Sequence, residues 1–287
     1  MMTILIIGAD GQLGTDLCKV IPQDEQIPLT IKDIDITNTE QSAEVLANYS
    51  PDIVINTAAY NDVDKSEEMK EVAFSLNAEA PLSLAKICRQ IGATLVHIST
   101  DYVFDGKKGS PYVESDQPNP LSVYGASKLA GEMNVAASIN EHFIVRTTGL
   151  YGVAGCLGKG GGNFVDGMVE RAKVRPELAV VTDEIVSPTY SLDLAGAINR
   201  LIRTKKYGLY HIVNHGYCSW YDFAVKIFQL LGQSVVVTKT TAANFPAVAK
   251  RPAFSAMQNE HLARIGLDNM RPWPEALKAY LQEKGYL

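Results

Sequence analysis

Tyr124 and Lys128 are the first pair in the chain whose types and spacing could move a proton. Residues at i and i+4 share one helix face, so a phenol and an ammonium so spaced lie together. A free tyrosine has a pKa of roughly 10 and is a poor acid–base catalyst near neutrality. A neighbouring cation favours phenolate and is expected to lower that value. Alone, Tyr-x-x-x-Lys is a common pattern on solvated helices, and its meaning depends on what precedes it.

What precedes it is Gly8-x-x-Gly11-x-x-Gly14, directly after the apolar run 4–7 and at the start of a helix near Leu13. One glycine permits a tight turn, another lets the backbone approach a pyrophosphate, and the third lets helix and strand pack closely. The helix N-terminus then offers unpaired N–H groups to the anion. The pattern predicts dinucleotide binding by Gly8, Gly11 and Gly14. An acidic residue at the end of the second strand would favour NAD. That place holds Thr30, Ile31 and Lys32, with Asp33 and Asp35 beyond. The missing carboxylate leans the expectation slightly to NADPH, or to use of both NADPH and NADH.

A third chemical group is expected where the run 94–98 ends in Ser99-Thr100-Asp101. Ligands sit at the C-terminal ends of parallel strands, so a hydroxyl here could bond a substrate carbonyl. Strand capping is the plainer alternative for both hydroxyls.

The elements that must position these groups follow from the apolar pattern. Short β-branched runs at 4–7, 27–31, 53–56, 94–98 and 143–147 read as strands buried on both faces. Helical patterns fill the gaps at 13–21, 41–49, 80–91 and 124–137. The alternation predicts an α/β fold, a Rossmann-type doubly wound parallel sheet. After residue 150 the rhythm changes. Residues 155–162 hold five glycines in eight positions and read as a mobile loop. Helices are expected at 164–172, 192–203, 220–231 and 272–284, and strands at 178–181, 210–213 and 235–238. The division expected is an NAD(P)-binding domain at 1–150, completed by 185–213. A smaller C-terminal α/β substrate-binding region takes 151–184 and 214–287.

Composition narrows the function classes. The 287 residues are 46% hydrophobic and 20% charged, as in an ordinary globular protein. A net charge of −6, with no basic block, argues against nucleic acid or an anionic membrane as partner. Cys18, Cys88, Cys156 and Cys218 are scattered, which suits reduced thiols and neither a disulfide framework nor a zinc site. No carboxylate cluster demands a metal, and none is expected. No signal peptide or membrane span is read, so a cytoplasmic location is expected. A homodimer is left open.

Eight stretches in order resemble the extended short-chain dehydrogenases/reductases, in the branch that reduces nucleotide-linked keto sugars. They are Gly8-Ala-Asp-Gly-Gln-Leu-Gly14, Asp33-Ile-Asp-Ile-Thr37, Asn56-Thr-Ala-Ala-Tyr-Asn-Asp-Val-Asp64, Ser99-Thr-Asp-Tyr-Val-Phe-Asp105, Tyr124-Gly-Ala-Ser-Lys128, Ser187-Pro-Thr189, Cys218-Ser-Trp-Tyr-Asp-Phe-Ala224 and Lys250-Arg-Pro252. The resemblance implies that Thr100, Tyr124 and Lys128 are the catalytic trio. It implies that Gln12 and Leu13 contact the pyrophosphate, that Asp35 and Ile36 lie beside the adenine, and that Ala58, Ala59 and Tyr60 run along the cofactor. Val63 and Tyr102 match substrate-contacting positions.

The activity implied is reduction of the 4-keto group of a dTDP-4-keto-6-deoxysugar, dTDP-4-dehydrorhamnose first. Related 4,6-dehydratases carry Asp-Glu after the threonine. Here Tyr102 follows Asp101, which favours plain carbonyl reduction. The pattern departs at Arg146-Thr-Thr-Gly149, where the family has a Trp against the sugar. This leaves open another dTDP-keto sugar, and a related ketoreductase or epimerase. A non-catalytic binding protein, like the beta regulatory subunit of methionine adenosyltransferase, is the rival class. The intact trio favours an enzyme.

Overall fold

A computed structural model describes residues 2–156, 160–245 and 247–287. The chain opens with β1 (Ile4–Ile7), α1 (Gln12–Val20), β2 (Gln26–Leu29), α2 (Thr39–Tyr49) and β3 (Ile53–Asn56). Two short helices follow, α3 (Val63–Glu68) and α4 (Lys70–Phe74), and a π-helical turn, Ser75–Glu79, runs into α5 (Ala80–Ile91). Then come β4 (Thr94–Thr100), a 3-10 turn at Asp101–Val103, α6 (Val123–Ser138) and β5 (His142–Thr147).

The second half holds β6 (Leu150–Tyr151), α7 (Phe164–Val174), β7 (Glu177–Val181), β8 (Ile185–Val186), β9 (Thr189–Tyr190) and α8 (Ser191–Leu201). It continues with β10 (Gly208–His211), β11 (Cys218–Ser219), α9 (Trp220–Leu231), β12 (Val236–Thr240), α10 (Glu260–Arg264) and α11 (Trp273–Glu283).

Six strands make one parallel sheet in the order β10-β5-β4-β3-β1-β2. The chain leaves β1 for β2 on one side and crosses back to β3 on the other. A topological switch therefore lies between β1 and β3, where open α/β sheets bind ligands at their C-terminal edge. The strands alternate sides as pleating requires. Ile4, Ile6, Ile53 and Ile55 pack with Leu13 and Leu17 of α1 and with Leu194 and Ile198 of α8. Leu5, Ile7 and Val54 pack on the other face with Leu84 and Cys88 of α5 and with Val135 of α6. Burying one such side chain is worth about 1.5–3 kcal/mol, so both faces are strongly specified.

A separate core gathers α7, α9 and α11, with Phe223, Ile227, Leu277 and Tyr280 at its centre. Two parallel strands, β7 and β12, flank it. No helix among the described residues is long and apolar enough to cross a membrane.

Several boundaries differ from expectation. β2 ends at Leu29, and Ile31 beyond it is 70% exposed. β4 runs on through Ser99 and Thr100, both buried. The region 63–79 is helical in pieces, and no helix was expected there. The glycine-rich segment closes on itself through an antiparallel bridge between Cys156 and Gly162. Residues 157–159, within the expected mobile loop, lie outside the described residues.

Candidate active site

The glycine turn joins β1 to α1 at the switch point. Gly8 has φ +77, and a Cβ on Gly14 would stand 2.1 Å from the Gly8 carbonyl oxygen. No side chain larger than hydrogen fits there, so helix and strand close up as the sequence predicts. The α1 N-cap is Gly11, with no side-chain cap, and the first turn holds no acidic residue. Its first N–H groups are thus left for an anion. The Gln12 Oε1 atom beside them is buried without a hydrogen-bond partner. An uncapped helix end, a glycine cradle and an orphaned polar atom fit the pyrophosphate of a dinucleotide.

A cavity of about 870 Å³ runs along the C-terminal edge of the sheet. Of the expected cofactor residues, Gly8, Gly11, Gln12, Leu13, Ile36, Ala58 and Ala59 line it. Thr100, Tyr102, Tyr124, Lys128 and Val63 line the same space. Three expected residues do not. Gly14 is used up in helix–strand packing. The Asp35 carboxylate turns onto Thr37, accepting from its N–H at 2.9 Å and its hydroxyl at 2.7 Å. Tyr60 is held by its backbone, which both donates to and accepts from the Asn77 amide at 2.9 Å.

The absence of a carboxylate at the end of β2 has a local cause. Asp33 folds back to accept from the Thr30 N–H at 2.8 Å and the Thr30 hydroxyl at 2.9 Å. Those bonds hold its pKa below the ordinary carboxylate value. The lining at this end is instead apolar: Ile31, Ile34 and Ile36.

The three chemical groups come from two elements. Thr100 ends β4, donates to Asp101 Oδ1 at 3.1 Å and accepts from the Tyr102 N–H at 3.2 Å. It caps the 3-10 turn and lines the cavity as well. Ser99 also lines the cavity, but its hydroxyl is bonded to Glu132 of α6. Tyr124 stands in the first turn of α6, which is capped by the Ser122 hydroxyl and held at Val123 N by Glu67 Oε1 at 2.9 Å. The Tyr124 ring meets Tyr102 edge to face, with centroids 5.5 Å apart.

The electrostatics correct one expectation. Burial pushes the Tyr124 phenol well above its usual value, and the Thr100 hydroxyl only partly opposes this. Lys128 does not act as the expected counter-charge. Its ammonium donates to the Ile98 carbonyl at 2.6 Å, and burial pushes its own pKa down to about 8 against the pull of Glu132. Tyr124 is therefore a neutral phenol at physiological pH, a proton donor by default. Asp101 is raised by burial too, with the Ser255, Thr148 and Thr100 hydroxyls opposing this.

Gly149 lies beside this group with φ +56, and a Cβ there would meet Pro188 Cα at 3.1 Å. The backbone at this point is in the left-handed region, which any side chain would strain. Sequence reasoning missed other residues of the cavity. Cys156 lines it and accepts from Asn61 Nδ2 at 3.3 Å. Phe164 and Trp220 line it as a tilted aromatic pair with centroids 4.5 Å apart. Both stand at helix starts; in the sequence Phe164 reads only as helix, and Trp220 only as part of a helix and of a family-like stretch, with no role in the site.

Comparison with known proteins agrees with this geometry. The profile of the family described as RmlD substrate binding domain matches residues 2–285. The spore coat polysaccharide biosynthesis protein SpsK of Bacillus subtilis is 39% identical over 99% of this chain and 98% of its own. The dTDP-4-dehydrorhamnose reductase of Mycobacterium tuberculosis is 37% identical over 97% of this chain and 92% of its own. Among solved structures, a dTDP-4-dehydrorhamnose reductase from Bacillus anthracis in complex with NADP superposes with TM-score 0.93 and 41% identity. It covers 99% of this chain and 100% of its own.

Proposed function

The chain belongs to the RmlD substrate-binding-domain family of extended short-chain dehydrogenases/reductases, and on that premise we propose that it reduces the 4-keto group of dTDP-4-dehydrorhamnose to give dTDP-L-rhamnose. The observation that carries this reading is one cavity lined by the glycine turn and by Thr100, Tyr124 and Lys128. Reductase relatives at 33–37% identity, and a structural neighbour holding NADP, support the same chemistry.

A bound NADPH or NADH supplies the hydride. The Gly8–Gly14 turn and the α1 N-terminus would hold its pyrophosphate. Tyr124, kept neutral by burial, gives its proton to the carbonyl oxygen as that oxygen gains negative charge. Thr100, turning its one hydroxyl proton away from Asp101, donates a hydrogen bond to the same oxygen, which strengthens as charge develops there. Lys128 would hold the ribose beside the tyrosine. Val63 and Tyr102 take the sugar nucleotide. Residues 1–150 with 185–213 serve the dinucleotide, and 151–184 with 214–287 serve the sugar. The joining of β10 to the main sheet supports that division.

Gly149 supports a second reading of the substrate, in which a different dTDP-4-keto-6-deoxysugar is reduced by the same trio. The test is to mix the protein with NADPH and each of several dTDP-4-keto sugars and follow loss of nicotinamide absorbance. Product analysis then names the sugar. Cofactor binding with no oxidation on any of them would favour a non-catalytic binding protein.

A further inference from the structure

We infer that Glu132 is a positioning residue for the reaction: through Ser99 and Arg146 it locks the helix carrying Tyr124 and Lys128 against the two strands whose ends line the site. The inference rests on the reductase reading above.

Tyr124, Lys128 and Glu132 follow at i, i+4 and i+8 on α6. Each step rises about 6 Å along the helix, so the three lie along one face. Glu132 is only 4% exposed. Its Oε1 accepts from Ser99 Oγ and, at 2.9 Å, from Arg146 Nε. Its Oε2 accepts from Arg146 Nη2 at 2.6 Å. Ser99 immediately precedes Thr100 on β4, and Arg146 immediately precedes Thr147 on β5. Lys128 meanwhile holds the carbonyl of Ile98, the residue before Ser99. Successive turns of α6 therefore grip successive residues of β4, and the second grip reaches on to β5.

The network is closed. The Arg146 guanidinium lies over the Phe104 ring at 5.1 Å and stands 3.5 Å from His211 Nε2. Burial and the charge of Arg146 push His211 down to about 3, so that ring is neutral. Among the described residues, Glu132 is the one anion bonded to Arg146. A buried ion pair rarely adds stability over well-packed apolar groups of the same size. Its bidentate geometry fixes a register instead. Register matters here because Thr100 and Tyr124 sit on the two elements so joined, and misplacement by about 1 Å costs about 10²-fold in rate.

Two variants test this by kcat, KM for NADPH and melting temperature. Ser99→Ala removes the tie to β4 and leaves the ion pair. Glu132→Leu with Arg146→Met removes the network while filling its space. The inference predicts that Ser99→Ala lowers kcat about tenfold and the double variant about 10²-fold. KM for NADPH and melting temperature stay near the parent's values in both. Parental kcat in a folded variant overturns the inference, and so does a loss of kcat matched by loss of cofactor affinity and of melting temperature. If the double variant does not fold, Ser99→Ala decides alone. A parent enzyme that reduces no dTDP-4-keto sugar sinks the reductase reading itself, a result distinct from parental kcat in the variants.

Discussion

The Lys128 ammonium donates to the Ile98 carbonyl across 2.6 Å, buried between α6 and β4 and only 2% exposed. Burial therefore outweighs Glu132 and holds its pKa at about 8 against an unperturbed 10.5. A lysine without its proton has a weaker hold on ribose hydroxyls. The affinity of the free protein for NADPH should fall as pH rises through about 8, and titration at several pH values checks this. The stability effect has the opposite sign. The unfolded chain binds the proton more tightly, so this group destabilises the fold below pH 8, and the penalty fades as pH approaches 10.5. A shift of this size is on the order of 3 kcal/mol. Lys128→Met should melt higher than the parent at pH 7, and the gap should shrink by pH 10.

Gly14→Ala should damage binding and folding together. Its Cβ would stand 2.1 Å from the Gly8 carbonyl oxygen and 2.7 Å from Ala9 Cα, both backbone atoms that cannot rotate away. Overpacking of this kind costs about 1–3 kcal/mol. The expected result is a lower melting temperature and at least tenfold weaker NADPH binding, measured by calorimetry.

Gly149→Ala tests the strained turn beside the site. With φ +56, an alanine must adopt the left-handed region while its Cβ presses on Pro188 Cα at 3.1 Å. A loss of about 1–2 kcal/mol is expected by denaturant unfolding. NADPH affinity should be unchanged, because the turn lies outside the expected dinucleotide contacts.

Much of the scaffold is legible in the sequence where periodicity and caps agree. The patterns at 80–91 and 220–231 coincide with α5 and α9, each closed by a left-handed glycine, Gly92 or Gly232. Local pattern fails where a distant partner decides. Ser99 reads as the polar end of a strand, yet it continues β4 because Glu132 satisfies its hydroxyl. Ile31 reads as a strand residue, but its apolar side chain lines the cavity and not the sheet. The region 63–79 lacks a long apolar face, and its π turn is held by Asn77 bonding to Tyr60 and Ser127, partners 17 and 50 residues away. The spacing of Tyr124 and Lys128 shows that they share a face. It carries no information on burial, which sets the charge state of both.

Tyr124 gives the proton that completes carbonyl reduction. Tyr124→Phe removes that hydroxyl and keeps the ring against Tyr102. The decisive measurement is kcat of this variant with NADPH and dTDP-4-dehydrorhamnose, beside its affinity for NADPH. A loss of about 10²–10⁴-fold in kcat is expected, with cofactor affinity preserved. A Tyr124→Phe enzyme that turns over at the parent's rate would contradict Tyr124 as the proton donor.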